Sequence, residues 1–270
     1  MILLKPVACG LGFAQLGGPF CVYVCSKISA VNLLGGNTLL PVGFGGYLLI
    51  MVVGMLISGA AALWVRSSYS KFSKQRSASG LTGAQTARMI LDRNGLSNVK
   101  VEPVAGQLTD HYDPRSKVVR LSEENYTKNS IAGVSVAAHE VGHAIQDASG
   151  YVPMKLRAGI FPVVNISSQF WPMAFIFAFF VGGAATPLGS LLINIAIIMF
   201  VGVLAFHVVT LPVEINASTR AYGLLTQYGI LSSSEASGTR RVLTAAAFTY
   251  IAAALTAVLT FLYLLAVSRQ

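Results

Sequence analysis

The sequence predicts an α-helical membrane protein with four transmembrane helices, or five if the leader forms a weak extra span, and a small water-facing α+β domain. Of its 270 residues, 54% are hydrophobic and only 11% are charged, whereas soluble domains average about 25% charged residues. The charges are also concentrated, because thirteen of the nineteen Lys and Arg and eight of the ten acidic residues lie between Arg66 and Arg157. One polar segment therefore interrupts an otherwise apolar chain.

The N-terminal part of the chain contains a leader and the first clear span. Residues 1–40 are apolar and glycine-rich, and they fit either a leader or a weak extra membrane span. Residues 41–65 are uncharged and long enough to cross a bilayer. Arg66 and Lys71 open the basic run that follows, so the positive-inside rule places this end of the span in the cytoplasm.

All three cysteines, Cys9, Cys21 and Cys25, lie in the leader, far along the chain from every histidine. They are therefore predicted to be neither a disulfide framework nor metal ligands. The formal charge of +9 does not indicate nucleic-acid binding, because the sequence has no basic stripe interleaved with aromatic residues and no reader motif.

Residues 66–157 are predicted to form the water-facing domain. Thr82 and Gln85 have the spacing of a capping box, which indicates the start of a short amphipathic helix. The β-branched runs at 99–104 and 118–121 are typical of strands.

The remainder of the chain alternates between apolar and polar segments. Residues 158–211 contain two apolar runs joined by a short turn, which predicts a transmembrane hairpin, and residues 243–267 form a last span. Between them, the polar residues 212–242 return to the cytoplasmic side. There Ser232 and Glu235 form a second capping-box pattern.

A complete His-Glu-x-x-His pattern, from His139 to His143, lies on a predicted helix whose N-cap is Asn129 or Ser130. Residues four apart share one helical face at a separation of about 6 Å, so the two imidazoles can bind one metal ion. Glu140 then lies beside a water at that ion and can accept its proton, which is the arrangement of a zinc hydrolase. The alternative is a helix with two hydrogen-bonded histidines. The small residues around the motif favour a closely packed, buried site.

Two histidines do not complete a zinc site, and the same helix does not supply the third ligand. Asp147 lies about 12 Å along the helix axis from His139, so these groups cannot surround one tetrahedral ion. The metzincin pattern is excluded as well, because Gln146 and Ser149 occupy the positions where that class has Gly and His.

The candidates for the third ligand are His111, His207, Glu214 and Glu235. Glu214 is favoured, because Pro212 places it at the predicted start of a helix where the third span reaches the cytoplasmic surface.

Several motifs resemble the YugP-like neutral zinc metallopeptidases of bacterial membranes. They are Leu-Ser-Glu-Glu-Asn-Tyr at 121–126, the stretch 136–146 around the histidine pattern, Leu-Pro-Val-Glu at 211–214 with Asn-Ala-Ser at 216–218, and parts of 109–114 and 241–250. The resemblance covers residue 67 to the C-terminus.

The resemblance implies a gluzincin-like site in a zincin-like domain of a protein of the bacterial inner membrane, and the positive-inside rule places that domain on the cytoplasmic side. His139, His143 and Glu214 would bind Zn²⁺, and Glu140 would be the general base. The chain also resembles the HtpX-like membrane proteases, in which an Asp follows four residues after the third ligand. Ser218 occupies that position here, which implies a weaker hydroxyl partner for the metal ligands.

Other polar residues are predicted to assist this site. His111 and Tyr112, just before a predicted strand, are candidates to stabilise the transition-state oxyanion, although a solvated loop is the alternative. Arg220 is predicted to pair with Asp147 or with a substrate carboxylate.

The sequence thus predicts an integral membrane zinc metallopeptidase, most simply an endopeptidase, that acts on peptides or membrane proteins at the bilayer surface. A non-catalytic zinc-binding membrane scaffold is the alternative, and it would need the three ligands but not Glu140. A transporter would place its polar residues at mid-membrane, where Asn194 is the one good candidate. The oligomeric state stays open.

Overall fold

The computed structural model describes residues 44–269. The predicted leader, its three cysteines and the fifth span fall outside this range. The helices and strands follow in the order α1 Phe44–Phe72, α2 Gly83–Arg93, β1 Lys100–Val104, β2 His111–Asp113, β3 Val118–Ser122, α3 Glu123–Thr127, α4 Ile131–Ala148, α5 Val152–Phe180, a 3₁₀ turn Gly183–Ala185, α6 Pro187–Gln227 and α7 Ala236–Ser268.

Four helices, α1, α5, α6 and α7, are long and apolar enough to cross a membrane by length and composition. The number of these candidate spans equals the four clear spans predicted from the sequence. Large apolar side chains point outward from these helices, with Leu56 and Leu63 68% exposed and Ile198 72% exposed. Exposure of this kind is costly in water and natural in lipid.

The described chain divides into two compact units. The first unit contains Ala60–Leu156 and Val209–Ile251, and the second contains 44–59, Arg157–Val208 and 252–269. The second unit has an apolar and aromatic core in which Trp171 packs edge-on against Phe200, with ring centroids 4.7 Å apart.

A three-stranded sheet of order β1-β3-β2 lies in the first unit. β1 is parallel to β3, and β2 is antiparallel to β3, so β2 is an edge strand. The sequence predicted β1 and β3 but placed His111 and Tyr112 before a strand, which is wrong because they belong to β2. Three residues with one buried aromatic side chain, Tyr112, carry too little alternation to indicate a strand.

Local capping signals in the first unit are confirmed. Thr82 Oγ1 accepts from the Gln85 N–H at 3.2 Å and Gln85 Oε1 accepts from the Thr82 N–H at 2.9 Å, which is the predicted capping box of α2. Ser130 is the N-cap of α4, and its Oγ accepts from the Gly133 N–H at 3.0 Å. A shared apolar core packs α2, the sheet and α4 together through Ile90, Leu91, Val119, Leu121 and Val141.

Glu214 does not lie at a helix start as predicted, because α6 runs without a break from Pro187 to Gln227 and holds Pro212 in its interior. A proline removes one helix hydrogen bond. The turns after it nevertheless bury one continuous stripe, Val213, Ala217, Ala221 and Leu225, and this burial continues the helix.

The last helix also begins later than predicted. Ser232 donates its N–H and its Oγ–H to Glu235 Oε2, at 3.0 and 2.6 Å, and the Ala78 N–H donates to Glu235 Oε1 at 2.8 Å. The Glu235 carboxylate thus ties two loops together, and α7 begins at the next residue, Ala236. Although burial opposes it, these hydrogen bonds hold the pKa of Glu235 below its usual range.

Candidate metal centre

Three buried side chains converge in the first unit. His139 and His143 project from α4 and Glu214 projects from α6, and each is at most 2% exposed. Glu214 Oε2 lies 3.4 Å from His139 Nε2 and 3.4 Å from His143 Nε2. Donor atoms bonded to one tetrahedral zinc ion at about 2.0–2.1 Å lie about 3.4 Å apart, so this spacing fits a zinc ion.

The hydrogen bonds of His143 show which of its nitrogens faces the other ligands. Gln146 Nε2 donates to the Val213 carbonyl at 2.8 Å, so the other amide atom, Oε1, is an acceptor. That oxygen lies 3.0 Å from His143 Nδ1, which must therefore carry the proton. In a neutral imidazole the remaining nitrogen, Nε2, then directs a lone pair at the Glu214 carboxylate. Two lone pairs facing each other in a buried site favour a cation between them.

His139 is supported by a different partner. Its Nδ1 lies 3.2 Å from Ser218 Oγ, one turn beyond Glu214 on α6. Neither His139 Nε2 nor His143 Nε2 has a hydrogen-bond partner among the described residues. Both imidazoles thus contact their supporting side chains through Nδ1, which leaves each Nε2 facing the Glu214 carboxylate.

A polar chain extends outward from His143. Gln146 Nε2 is 3.0 Å from Asn216 Oδ1, and Arg220 Nε–H donates to the same oxygen at 2.7 Å. Arg220 therefore supports the His143 side of the group through two intervening amides. The predicted alternative, pairing with Asp147, is not what the structure shows, since that carboxylate bonds Lys117 and Tyr112 instead.

Gly142 allows α4 to approach α6 closely. A Cβ at this position would lie 2.9 Å from the Ala217 carbonyl oxygen and 3.3 Å from Ala217 Cα. These are backbone atoms, so the neighbour cannot move aside without shifting α6. The glycine inside the histidine motif thus brings Glu214 within reach of both imidazoles.

Glu140 faces the sheet and is completely buried. Its Oε2 accepts from the backbone N–H of Tyr112 on β2 at 2.9 Å. The Tyr112 hydroxyl donates to Asp147 Oδ2 at 2.6 Å, and burial together with this carboxylate raises the pKa of Tyr112. Tyr112 therefore meets the site through its backbone, and its hydroxyl is engaged one helical turn beyond His143.

The other candidates for the third ligand do not join the group of His139, His143 and Glu214. His111 Nδ1 lies 2.8 Å from the Thr109 carbonyl oxygen. His207 belongs to the second unit, and Glu235 binds backbone N–H groups as described above.

The sequence patterns predicted no role for Gln146, although its position three residues after His143 places it beside that imidazole. Asn216, two residues after Glu214, belongs to the Asn-Ala-Ser motif that carries the family resemblance. Asp110 is a buried carboxylate in the first unit, and no local pattern distinguishes it from an acidic loop residue.

The first unit thus holds a buried group of two histidines and one carboxylate, with a further buried carboxylate next to His139 in the chain, and the protein has four helices of membrane length. Such a donor set is typical of the zinc sites of hydrolases. Comparison with known protein families gives a result consistent with such a zinc site. The model of a family described as "Putative neutral zinc metallopeptidase" matches residues 47–269, and the chain belongs to this family.

The "Putative membrane protease YugP" of Bacillus subtilis (strain 168) is 48% identical over 210 residues, which are 77% of this chain and 90% of that protein. No solved structure matches the chain.

Proposed function

We propose that the protein is an integral membrane zinc peptidase that hydrolyses internal peptide bonds, with His139, His143 and Glu214 as ligands and Glu140 as general base. The observation that carries this proposal is the 3.4 Å spacing of Glu214 Oε2 from both Nε2 atoms, with Glu140 next to His139 in the chain. The family and the membrane protease relative support it.

Zinc in this site would supply Lewis acidity toward the scissile carbonyl and would lower the pKa of the attacking water. Glu140 accepts the proton of that water at its carboxylate and later donates it to the leaving amine. The Tyr112 N–H orients Glu140 for both transfers, and the full burial of the carboxylate keeps bulk water from competing with it. Ser218 and Gln146 hold the two imidazoles in the orientation that presents Nε2.

The proposal extends to the setting of the site. The zincin-like domain, residues 66–157 with 212–242, faces the cytoplasm of a bacterial inner membrane, because basic residues follow the first span and precede the second and last ones. Its substrates are peptides or membrane proteins at the bilayer surface. On this topology a reporter fused after Gln270 is outside the cytoplasm, and a cytoplasmic reporter would contradict it.

The variant Glu140→Gln distinguishes the proposed peptidase from a non-catalytic zinc-binding scaffold. We expect this variant in detergent to retain zinc and to lose at least about 100-fold in peptide cleavage, because the amide cannot accept the proton. Glu123→Gln, which changes an exposed acid of α3, is the matched control and keeps parental activity. Parental cleavage by Glu140→Gln would disprove the general base.

The ligand assignment is tested by Glu214→Ala. Removing one of three ligands should lower the zinc content of the purified protein, measured by elemental analysis, and abolish cleavage. Undiminished zinc binding would show that a different residue is the third ligand.

A further inference from the structure

We propose that Asp110 is a positioning residue for Glu140, acting through strand β2. The inference rests on the proposed function, since it assigns Glu140 the role of base. Asp110 is fully buried and precedes β2 directly, two residues before the Tyr112 whose N–H contacts Glu140.

The Asp110 carboxylate accepts from three donors, two on Ser122 at the end of β3 and one on Asn125 in α3. The Ser122 N–H donates to Oδ1 at 2.8 Å, Ser122 Oγ lies 3.0 Å from Oδ2, and Asn125 Nδ2–H donates to Oδ2 at 3.0 Å. An amide or hydroxyl side chain could not accept all three. Both carboxyl oxygens of Asp110 are thus engaged, and these hydrogen bonds fasten the start of β2 to the end of β3.

The position of β2 explains why such a fastening is needed. β2 has three residues, pairs with β3 on one side and is otherwise an edge strand. A ladder of three residue pairs is weak by itself. The Tyr112 N–H can hold Glu140 in one orientation only if the strand that carries it is fixed.

Burying a carboxylate costs free energy unless hydrogen bonds compensate it, so Asp110 contributes more than packing. Burial raises the pKa of Asp110, the hydrogen bonds from Asn125 and Ser122 oppose this, and the charge of Glu140 adds to it. The network also reaches the end of α1, where Tyr69 OH donates to Asn125 Oδ1 at 2.9 Å. Strand β2 is thus braced against a helix of membrane length.

The test compares two aspartates at opposite ends of β2. Asp110→Asn places amide hydrogens against the donors of Ser122 and Asn125, whereas Asp113→Asn alters a partly exposed carboxylate that bonds Ser116 and Arg120. We expect Asp110→Asn to raise the hydrogen-exchange rate of the Tyr112 amide about tenfold or more in the full-length protein, and Asp113→Asn to leave it unchanged.

In peptide cleavage, Asp110→Asn should lower kcat by about 100-fold with KM and zinc content unchanged, because the ligands remain but the base is misplaced. An unchanged Tyr112 exchange rate, an equal increase in Asp113→Asn, or a parental kcat in Asp110→Asn would overturn the inference. A parent protein without peptidase activity would instead refute the proposed function, and the exchange rates would still decide whether Asp110 fixes Tyr112.

If Asp110→Asn does not fold, two less disruptive variants, Ser122→Ala and Ser116→Ala, test the same role of Asp110. Ser122→Ala removes one hydroxyl donor from Asp110 and leaves the backbone donor, and Ser116→Ala removes the equivalent hydroxyl from Asp113. Ser122→Ala should raise the Tyr112 exchange rate about threefold, as loss of one modest hydrogen bond would, and Ser116→Ala should not. Equal rates in the two variants would contradict the role of Asp110.

Discussion

The two sides of helix α4 both bury polar groups, but they satisfy them by different means. On the metal side, His139 and His143 direct Nε2 at the Glu214 carboxylate, so acceptors face an acceptor. On the base side, Glu140 accepts from the Tyr112 N–H, so donor and acceptor already match. A cation between the groups would therefore stabilise the metal side, whereas on the base side Glu140 Oε2 already has a donor within the protein.

The largest expected effect is the loss of thermal stability when a chelator removes zinc from the metal side of α4. A ligand at 1,000 times its Kd stabilises the folded state by about 4 kcal/mol. Chelation should therefore lower the thermal unfolding midpoint of the parent and of Glu140→Gln, which keeps all three ligands, but not that of Glu214→Ala. Differential scanning fluorimetry in detergent measures the shift. If the chelator lowered the unfolding midpoint of Glu214→Ala as much as that of the parent, Glu214 would not be a ligand of the stabilising metal.

The next effect concerns the close approach of α4 and α6. Gly142→Ala should weaken zinc binding by about 100-fold, because the new Cβ meets the Ala217 backbone and pushes Glu214 away from the imidazoles. Competition with a chromophoric chelator gives the affinity. Gly223→Ala on α6, where a Cβ meets nothing within 4 Å, is the control. Unaltered affinity in Gly142→Ala would show that the helices can separate without cost to the site.

A smaller effect distinguishes the supports of the two histidines. Gln146→Leu leaves the His143 Nδ1–H buried without its acceptor and should cost about 10–100-fold in zinc affinity. Ser218→Ala should cost less, about tenfold, because Ser218 is only half-buried and water can replace its hydroxyl at His139. The same competition assay ranks them, and the reverse order would mean that Ser218 is the more important support.

The smallest effect tests whether Tyr112 serves the base side through its backbone alone. Tyr112→Phe removes the hydrogen bond to Asp147 and should lower the free energy of unfolding by about 1–2 kcal/mol. The N–H to Glu140 remains, so kcat should stay within about twofold of the parent. A loss of cleavage as deep as that of Glu140→Gln would assign the hydroxyl a role in the reaction.

Much of the first unit could be predicted because its signals are local. The capping box of Thr82 and Gln85 and the N-cap Ser130 depend on neighbours within one helical turn. The position of Glu214 in the helix could not be predicted, because Pro212 is locally a helix-start signal. Burial of the stripe after it, a tertiary effect, carries α6 through the proline.

The supporting residues divide in the same way. Gln146 lies on the same helix as His143 and was within reach of a spacing argument. Asp110 contacts Ser122 and Asn125, twelve and fifteen residues away, and these contacts exist only once β2 pairs with β3. Strand β2 itself is too short to show a period.

The sequence alone determined that the chain has the composition of a membrane protein, that the described part has four candidate spans, and that His139 and His143 share one helical face. These properties depend only on the length of the apolar runs and on the helical repeat. Only the tertiary structure decided that Glu214 comes within 3.4 Å of both imidazoles, that Gly142 permits this approach, and that Tyr112 meets Glu140 through its N–H. Those contacts join residues up to 75 positions apart in the chain, such as His139 and Glu214, and packing of the whole unit sets their distances.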